Sequence, residues 1–216
     1  MKLYIFDFDG TIGDSRDLIV RTMMDTFDEM GIAKPTVEAC VATIGLPLAE
    51  CFEVSAHVTK AQSELCAKRY KEIFRRNNVP GAVRPFANVI KTLNTLHQQG
   101  KTLAVASSRQ HESLDKLISD FGITHLFSII IGADDVTNAK PDPESINKIL
   151  ATLPFSPNET IMIGDAPYDI LMGKNAGVAT CGVTYGNGKR IEMQNTKPDF
   201  LIDDFAELTD ITQSNT

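Results

Sequence analysis

The feature that most constrains the fold is an alternation of short apolar strands and helical segments that begins after Gly81. Runs of apolar residues like these are typical of strands buried on both faces of a sheet. Such an alternation predicts right-handed crossovers and a parallel sheet covered by helices. The predicted strands cover residues 102–106, 128–131, 160–163, 178–183 and 200–202. The predicted helices cover residues 86–99, 112–120, 143–150 and 168–175, with a short one near 204–208.

One more strand, at residues 2–6, comes first and leads directly into Asp7-Phe8-Asp9-Gly10-Thr11. Residues 15 to about 80 contain helical patterns alone, predicted over about 15–30, 36–43, 47–54 and 59–76, with Ser15 as the first helix cap. We therefore predict an α/β protein. Its doubly wound parallel-sheet core comprises residues 1–14 and 82–216, and an all-α cap is inserted at residues 15–81. Two connections join cap to core, which suits a lid that opens and closes.

Composition narrows the classes of function. The 216 residues carry a formal net charge of −7, which argues against non-specific binding to nucleic acid or to an anionic membrane. The first 14 residues show no pattern of a signal peptide or membrane anchor, so a cytoplasmic location is predicted. The four cysteines are irregularly spaced and predict free buried thiols rather than a zinc site. The polar tail at residues 212–216 has the composition of a disordered segment.

Polar residues recur where the predicted strands end. In chain order they are Asp7, Asp9, Ser107, Lys140 and Asp165. Each has an ordinary explanation when taken alone: an acidic turn, a helix cap or a surface lysine. A parallel sheet, however, brings the carboxyl ends of its strands to one edge, where open α/β sheets bind ligands. Carboxylates there suit Mg²⁺, and a hydroxyl and a lysine suit phosphate oxygens, so the set predicts phosphoryl transfer.

These residues also form a recognisable series of motifs. Asp7-Phe8-Asp9-Gly10-Thr11, Ser107, Lys140-Pro141 and Gly164-Asp165 with Asp169 resemble, in order and spacing, the four motifs of the haloacid dehalogenase superfamily. The resemblance spans nearly the whole chain and implies a Rossmann-like core with a small α-helical cap. Three further stretches, at residues 14–15, 44–48 and 84–86, resemble phosphoglycolate phosphatase-like members.

The resemblance implies a role for each matching residue. Asp7 would be the nucleophile that forms an aspartyl-phosphate, and Asp9 would protonate the leaving alcohol and then deprotonate water. Mg²⁺ would be held by Asp7, the backbone carbonyl of Asp9 and Asp165, with Asp169 orienting a metal-bound water or Lys140. Lys140 would offset charge on the nucleophile and the phosphate. The implied phosphate-binding residues are Phe8, Gly10, Thr11, Ser107, Ser108, Arg109 and Lys140.

Arg109 and Ala166 leave open questions. Arg109 is equally well explained as a solvated loop arginine. Ala166 stands where relatives often have Ser or Thr, which leaves the metal environment less defined. Arg16 and the loop around Gly45 are the candidates for substrate specificity in the cap, and an exposed arginine is the alternative at Arg16.

The implied function is Mg²⁺-dependent hydrolysis of a small phosphorylated metabolite by a monomer or homodimer. Phosphoglycolate is the first candidate substrate, followed by sugar phosphates, nucleoside monophosphates and pyrophosphate. A dehalogenase is disfavoured because Asp9 and Asp165 are present. A phosphonatase would need a reactive cap lysine, but Lys60, Lys68 and Lys71 have the spacing of a solvated helix face.

Two alternatives to a phosphatase stay open. A mutase similar to β-phosphoglucomutase is disfavoured by Thr11 and by the apolar run at residues 18–20, where such mutases typically carry Val and His. A phosphate- or metabolite-binding sensor without turnover would be expected to lack Asp7 or Asp9, and both are present.

Overall fold

The computed structural model describes residues 1–211, so the polar tail at 212–216 lies outside the described residues. The strands within this range are β1 (Leu3–Phe6), β2 (Gly13–Asp14), β3 (Arg84–Pro85), β4 (Thr102–Ala106), β5 (Phe127–Ile131), β6 (Thr160–Gly164), β7 (Ala179–Val183) and β8 (Phe200–Ile202). Six of them form one parallel sheet in the order β5-β4-β1-β6-β7-β8. This confirms the predicted doubly wound parallel sheet.

Helices connect the strands as the alternation predicted. The α-helices of residues 1–211 are α1 (Arg16–Glu29), α2 (Val37–Val41), α3 (Leu48–Ala56), α4 (Lys60–Asn77), α5 (Val89–Gln98), α6 (His111–Asp120), α7 (Glu144–Thr152), α8 (Pro167–Asn175) and α9 (Arg190–Asn195). Short 3₁₀ turns lie at Thr124–Leu126, Ala133–Asp135, Pro157–Glu159 and Phe205–Asp210. No helix in this range is both long enough and apolar enough to cross a bilayer.

Strand β1 shows why both faces of the sheet are covered. Successive side chains of a strand point to opposite faces. Leu3 and Ile5 accordingly pack in one hydrophobic cluster with Ile146 of α7, whereas Tyr4 and Phe6 pack in a second cluster on the other face. Because both sets of side chains are buried and β1 pairs with a strand on each side, β1 lies in the interior of the sheet.

The helical insertion leaves and rejoins the core at one place. Gly13 pairs with Pro85 and Asp14 pairs with Arg84 in the short antiparallel ribbon of β2 and β3. Helices α1 to α4 lie between these two strands in the chain. The sequence predicted the two connections but not their pairing. We use the word cap for residues 15–81; their status as a separate domain stays a prediction.

The structure differs from the sequence prediction at a few boundaries. The helix predicted from residue 86 begins at Val89, because Asn88 adopts a left-handed conformation with φ of 63° and interrupts the helix before it. Helix α9 was not predicted, and the last predicted helix is a 3₁₀ turn, Phe205–Asp210. The predicted free and buried cysteines are confirmed: Cys40, Cys51, Cys66 and Cys181 are all buried thiols.

Candidate active site

Three of the predicted residues lie at the carboxyl ends of adjacent strands. Asp7 directly follows β1, Ser107 directly follows β4 and Asp165 directly follows β6. Because β1 pairs with β4 on one side and with β6 on the other, the three side chains meet at one edge of the sheet. Each of them is at most 6% exposed. The strand-end prediction therefore brought distant residues together correctly.

Lys140 joins two buried carboxylates. Its Nζ atom lies 2.6 Å from Oδ1 of Asp7 and 2.7 Å from Oδ1 of Asp169, and all three side chains are at least nine-tenths buried. Burial acts to lower the pKa of Lys140, but the ion pairs with Asp169 and Asp7 outweigh it and raise that pKa. Burial raises the pKa of Asp7 to about 7, against the opposing effect of Lys140. The lysine is thus a fixed cation beside the Asp7 carboxylate.

Three carboxylates surround a position suited to a cation. One oxygen each from Asp7, Asp165 and Asp169 can be chosen so that all three lie within 4.8 Å of one another, and all three residues are buried. Burial raises the pKa of Asp165, and the charges of Asp7 and Asp169 raise it further. Lys140 alone does not balance three carboxylates. Hard oxygen donors with excess negative charge fit Mg²⁺, so these residues fit the metal that the motifs imply.

Neighbouring loops approach Asp165 closely and leave one buried polar atom near it without a partner. The backbone amide of Asn187 donates to Oδ2 of Asp165 at 2.6 Å, and a Cβ atom on Gly10 would lie only 2.1 Å from the same oxygen. The side-chain nitrogen of Asn187 is buried without a hydrogen-bond partner among residues 1–211. A water ligand brought by an ion would give it an acceptor. Sequence reasoning missed Asn187, because the loop after β7 carries none of the four motifs.

The second carboxylate of the first motif is held by an arginine. Arg109 donates from Nη2 to Oδ1 of Asp9 at 2.5 Å and from Nε to Oδ2 at 3.0 Å. Its side chain is 8% exposed, and its guanidinium lies 5.0 Å from the centre of the Phe74 ring in α4. The alternative of a solvated loop arginine is therefore wrong. Ser15 was predicted to cap α1, but its hydroxyl makes no cap and donates to Oδ1 of Asp9 at 2.5 Å.

The first-motif turn supplies fewer phosphate contacts than expected. The amide of Gly10 donates to the carbonyl of Gly13 at 3.0 Å, and the amide of Thr11 donates to the carbonyl of Phe8 at 3.2 Å. The Thr11 hydroxyl faces Asp165 at 3.5 Å. The amides of Gly10 and Thr11 therefore close the turn in this structure, and the phosphate contacts expected of these two residues stay a prediction.

Other amides near the strand ends stay open. Within residues 1–211, the backbone amides of Phe8 and Ser108 have no hydrogen-bond partner. The Ser107 hydroxyl accepts a hydrogen bond from the backbone amide of Arg109 at 3.3 Å, which leaves its own hydrogen for another acceptor. Phe8 follows Asp7 in the chain, and Ser107 and Ser108 follow the adjacent strand β4. These two amides and this hydroxyl are donors of the kind that bind phosphate oxygens, and their role stays a prediction.

A cleft of about 340 Å³ lies between this edge of the sheet and the cap, and Asp7, Asp9 and Ser107 line it. Gly45 lines the opposite wall, and its carbonyl accepts the Ser108 hydroxyl at 2.8 Å. The apolar part of the cap wall is formed by Ile19, Ile44, Leu46, Leu48, Cys51, Tyr70 and Phe74.

The lining of this cleft bears on two predictions about charged residues of the cap. Arg16 is exposed and is not among the lining residues, so the arrangement gives no support to Arg16 as a specificity residue. Lys71 was predicted to lie on a solvated helix face. It is instead only partly exposed and lines the cleft, whereas Lys60 and Lys68 are exposed as predicted.

The sequence and fold are similar to those of known proteins. The family profile of the haloacid dehalogenase-like hydrolases matches residues 4–183. A pyrophosphatase, PpaX, from Halalkalibacterium halodurans is 33% identical and covers 96% of this chain and 94% of its own length. A phosphoglycolate phosphatase from Haemophilus influenzae is 30% identical, with 97% of each chain covered. The solved structure of a Bacteroides fragilis protein described as haloacid dehalogenase-like superposes with a TM-score of 0.91 at 30% identity, covering 96% of this chain and 99% of that one.

Proposed function

The chain belongs to the haloacid dehalogenase-like hydrolase family, and from that premise we propose that it is a Mg²⁺-dependent phosphatase that acts through an aspartyl-phosphate on Asp7. The names of the relatives confirm the enzyme class expected from the motifs, a phosphatase. The metal, the covalent intermediate and the substrate are parts of this proposal. The observation that carries it is the placement of Lys140 between the buried carboxylates of Asp7 and Asp169, at 2.6 and 2.7 Å.

In the first step, a carboxylate oxygen of Asp7 attacks the phosphorus atom of the ester. The bond between oxygen and phosphorus forms as the bond from phosphorus to the leaving oxygen breaks, and Asp9 gives that oxygen a proton. Lys140 keeps Asp7 available as a nucleophile by offsetting its charge and that of the phosphate. The hydroxyl of Ser107 and the open amides of Phe8 and Ser108 hold the phosphate oxygens.

In the second step, Asp9 takes a proton from water, which then attacks phosphorus and releases phosphate from Asp7. Bound Mg²⁺, held by Asp7, Asp165 and the backbone carbonyl of Asp9, would neutralise charge on the phosphate oxygens. Asp169 orients Lys140 through their 2.7 Å contact. Arg109 pairs with Asp9 in this structure, so an arriving phosphate must compete with Asp9 for the guanidinium before Asp9 can act as an acid.

The substrate is a small molecule with a phosphate group. Phosphoglycolate is the first candidate, because a phosphoglycolate phosphatase is among the relatives that match along nearly their full length. Pyrophosphate is the second candidate on the same ground. We also propose that the cap moves as a lid, since the cleft lies between the cap and the core and the two connections pair in one ribbon. The cytoplasmic location and the oligomeric state stay predictions.

The direct test is a phosphate-release assay on p-nitrophenyl phosphate, phosphoglycolate and pyrophosphate, with Mg²⁺ or with a chelator. We expect turnover that requires Mg²⁺ and is abolished in Asp7→Asn. Asp17→Asn, which changes an exposed acid in the first turn of α1, is the matched control and should retain full activity. Turnover that survives both the chelator and Asp7→Asn would rule out the proposed mechanism.

A further inference from the structure

Helix α4 carries two groups of basic residues with different surroundings. Arg69 pairs with Glu29 and Glu72, and Arg76 pairs with Glu29 at 2.8 Å. Lys71 and Arg75 lie on the same helix, line the cleft and have no carboxylate within 4.0 Å in residues 1–211. Lys60 and Lys68 of the same helix are exposed and also have no carboxylate within 4.0 Å in that range, so what distinguishes Lys71 and Arg75 is that they line the cleft.

Lys71 is partly exposed and Arg75 is exposed, so a ligand in the cleft can reach both cations. The two residues are four positions apart on one helix, a spacing at which like charges repel each other. Across the cleft, α6 adds Lys116, which is paired with Asp120 at 2.6 Å. Glu112 is the only acid that lines the cleft besides Asp7 and Asp9, among the residues that the structure describes. The cap side of the cleft is therefore left with a net positive charge.

The cleft is also larger than the reacting group needs. Its volume is about 340 Å³, and it is lined by Asp7 at one place and by Lys71 and Arg75 at another. The apolar side chains of Ile44, Leu46 and Phe74 line the same continuous space. A phosphate bound at Asp7 leaves room for a leaving group that extends along the apolar cap wall. Charge complementarity then decides which chemical group the far part of the substrate carries.

We propose that Lys71 and Arg75 bind a second anionic group on the leaving group of the substrate. This inference rests on the proposed phosphatase function and narrows it: the preferred ester carries a carboxylate or a second phosphate in addition to the phosphate that is cleaved. Arg75 suits either group, because a guanidinium binds both carboxylate and phosphate through two parallel hydrogen bonds. Lys71 adds a point charge from the preceding turn.

The test compares esters of equal length with and without the second charge. The pairs are phosphoglycolate with ethyl phosphate, 4-phosphooxybutyrate with butyl phosphate, and pyrophosphate with methyl phosphate. In the unmodified enzyme, kcat/KM should favour the charged member of at least one pair. In Lys71→Gln/Arg75→Gln that preference should fall by about 10- to 100-fold, the loss expected for one or two charged hydrogen bonds, while kcat/KM for the neutral member changes less than about twofold. The pair with the largest effect identifies the anion and its distance from phosphorus.

Arg76→Gln is the matched control, because it removes a cation from the same helix outside the cleft. It should leave every ratio unchanged. A preference that survives Lys71→Gln/Arg75→Gln, or the absence of a preference in all three pairs, would overturn the proposal. Calorimetric binding of the same compounds to Asp7→Asn, together with turnover by the unmodified enzyme, separates the two claims. Charge-dependent binding to the variant with no turnover by the unmodified enzyme would support the anion subsite while contradicting the phosphatase. Turnover by the unmodified enzyme without charge-dependent binding would do the reverse.

Discussion

Replacing Lys140 by methionine tests the electrostatics of the site most severely. Methionine keeps an unbranched side chain of similar length but removes the charge that contacts Asp7 at 2.6 Å and Asp169 at 2.7 Å. Both carboxylates are then buried without a cation. Removing one partner of a buried ion pair typically costs about 3–5 kcal/mol, because the remaining charge stays desolvated. We expect a loss of that size in the free energy of unfolding of the metal-free protein.

The assay is urea unfolding followed by circular dichroism, in the presence of a chelator. Lys148→Met is the matched control. Lys148 pairs with Glu144 at 2.8 Å, four positions earlier on the same helix, and this ion pair is partly exposed. Removing it should leave the unfolding midpoint unchanged within error. Adding Asp169→Asn to Lys140→Met should recover part of the loss, since it removes one of the unpaired charges. A loss below about 1 kcal/mol for Lys140→Met would refute the account of Lys140 as the balancing charge of this cluster.

Three further predictions follow from the described contacts. Burial raises the pKa of Asp7 to about 7 from its ordinary 3.8, so the folded, metal-free protein binds this proton more tightly than the unfolded chain does. Urea unfolding should therefore show stability falling by about 2 kcal/mol from pH 5 to pH 7, a loss that Mg²⁺ suppresses, and a flat profile would contradict it. Gly10→Ala should weaken Mg²⁺ binding, measured by calorimetry, at least tenfold, because the added Cβ atom would lie 2.1 Å from Asp165. Gly31 also has a left-handed backbone, but a Cβ atom there would meet open space, so Gly31→Ala should leave Mg²⁺ binding unchanged. Cys181 of β7 is 0% exposed and burial raises the pKa of its thiol, so a thiol reagent should label this residue only after unfolding, and rapid labelling of the folded protein would contradict its burial.

The parts of the site that follow from strand ends could be predicted from the sequence. The apolar runs before Asp7, Ser107 and Asp165 predicted where each strand ends, and the topology of a parallel sheet places those ends side by side. No geometric detail was needed for that result. Lys140 was placed by the same reasoning, as a polar residue after the strand that ends at Ile131, although nine positions separate the two residues.

The contacts between side chains could not be predicted in the same way. The pairing of Arg109 with Asp9 depends on how the loop after β4 turns toward the first motif, and sequence spacing does not encode that turn. The local sequence explains Ser15 well as a helix cap, but its hydroxyl instead donates a hydrogen bond to Asp9. Lys71 has the periodicity of an exposed helix face; only the packing of the cap over the sheet edge places it in the cleft.

The most direct test of the central claim is to trap the covalent intermediate. The enzyme is mixed with a radiolabelled phosphate ester and Mg²⁺, quenched with acid, and treated with borohydride, which reduces an acyl phosphate to an alcohol. We expect the label to appear on the protein during turnover and mass spectrometry to find homoserine in place of Asp7. Phosphate release without a labelled protein, together with an unmodified Asp7, would contradict Asp7 as the nucleophile.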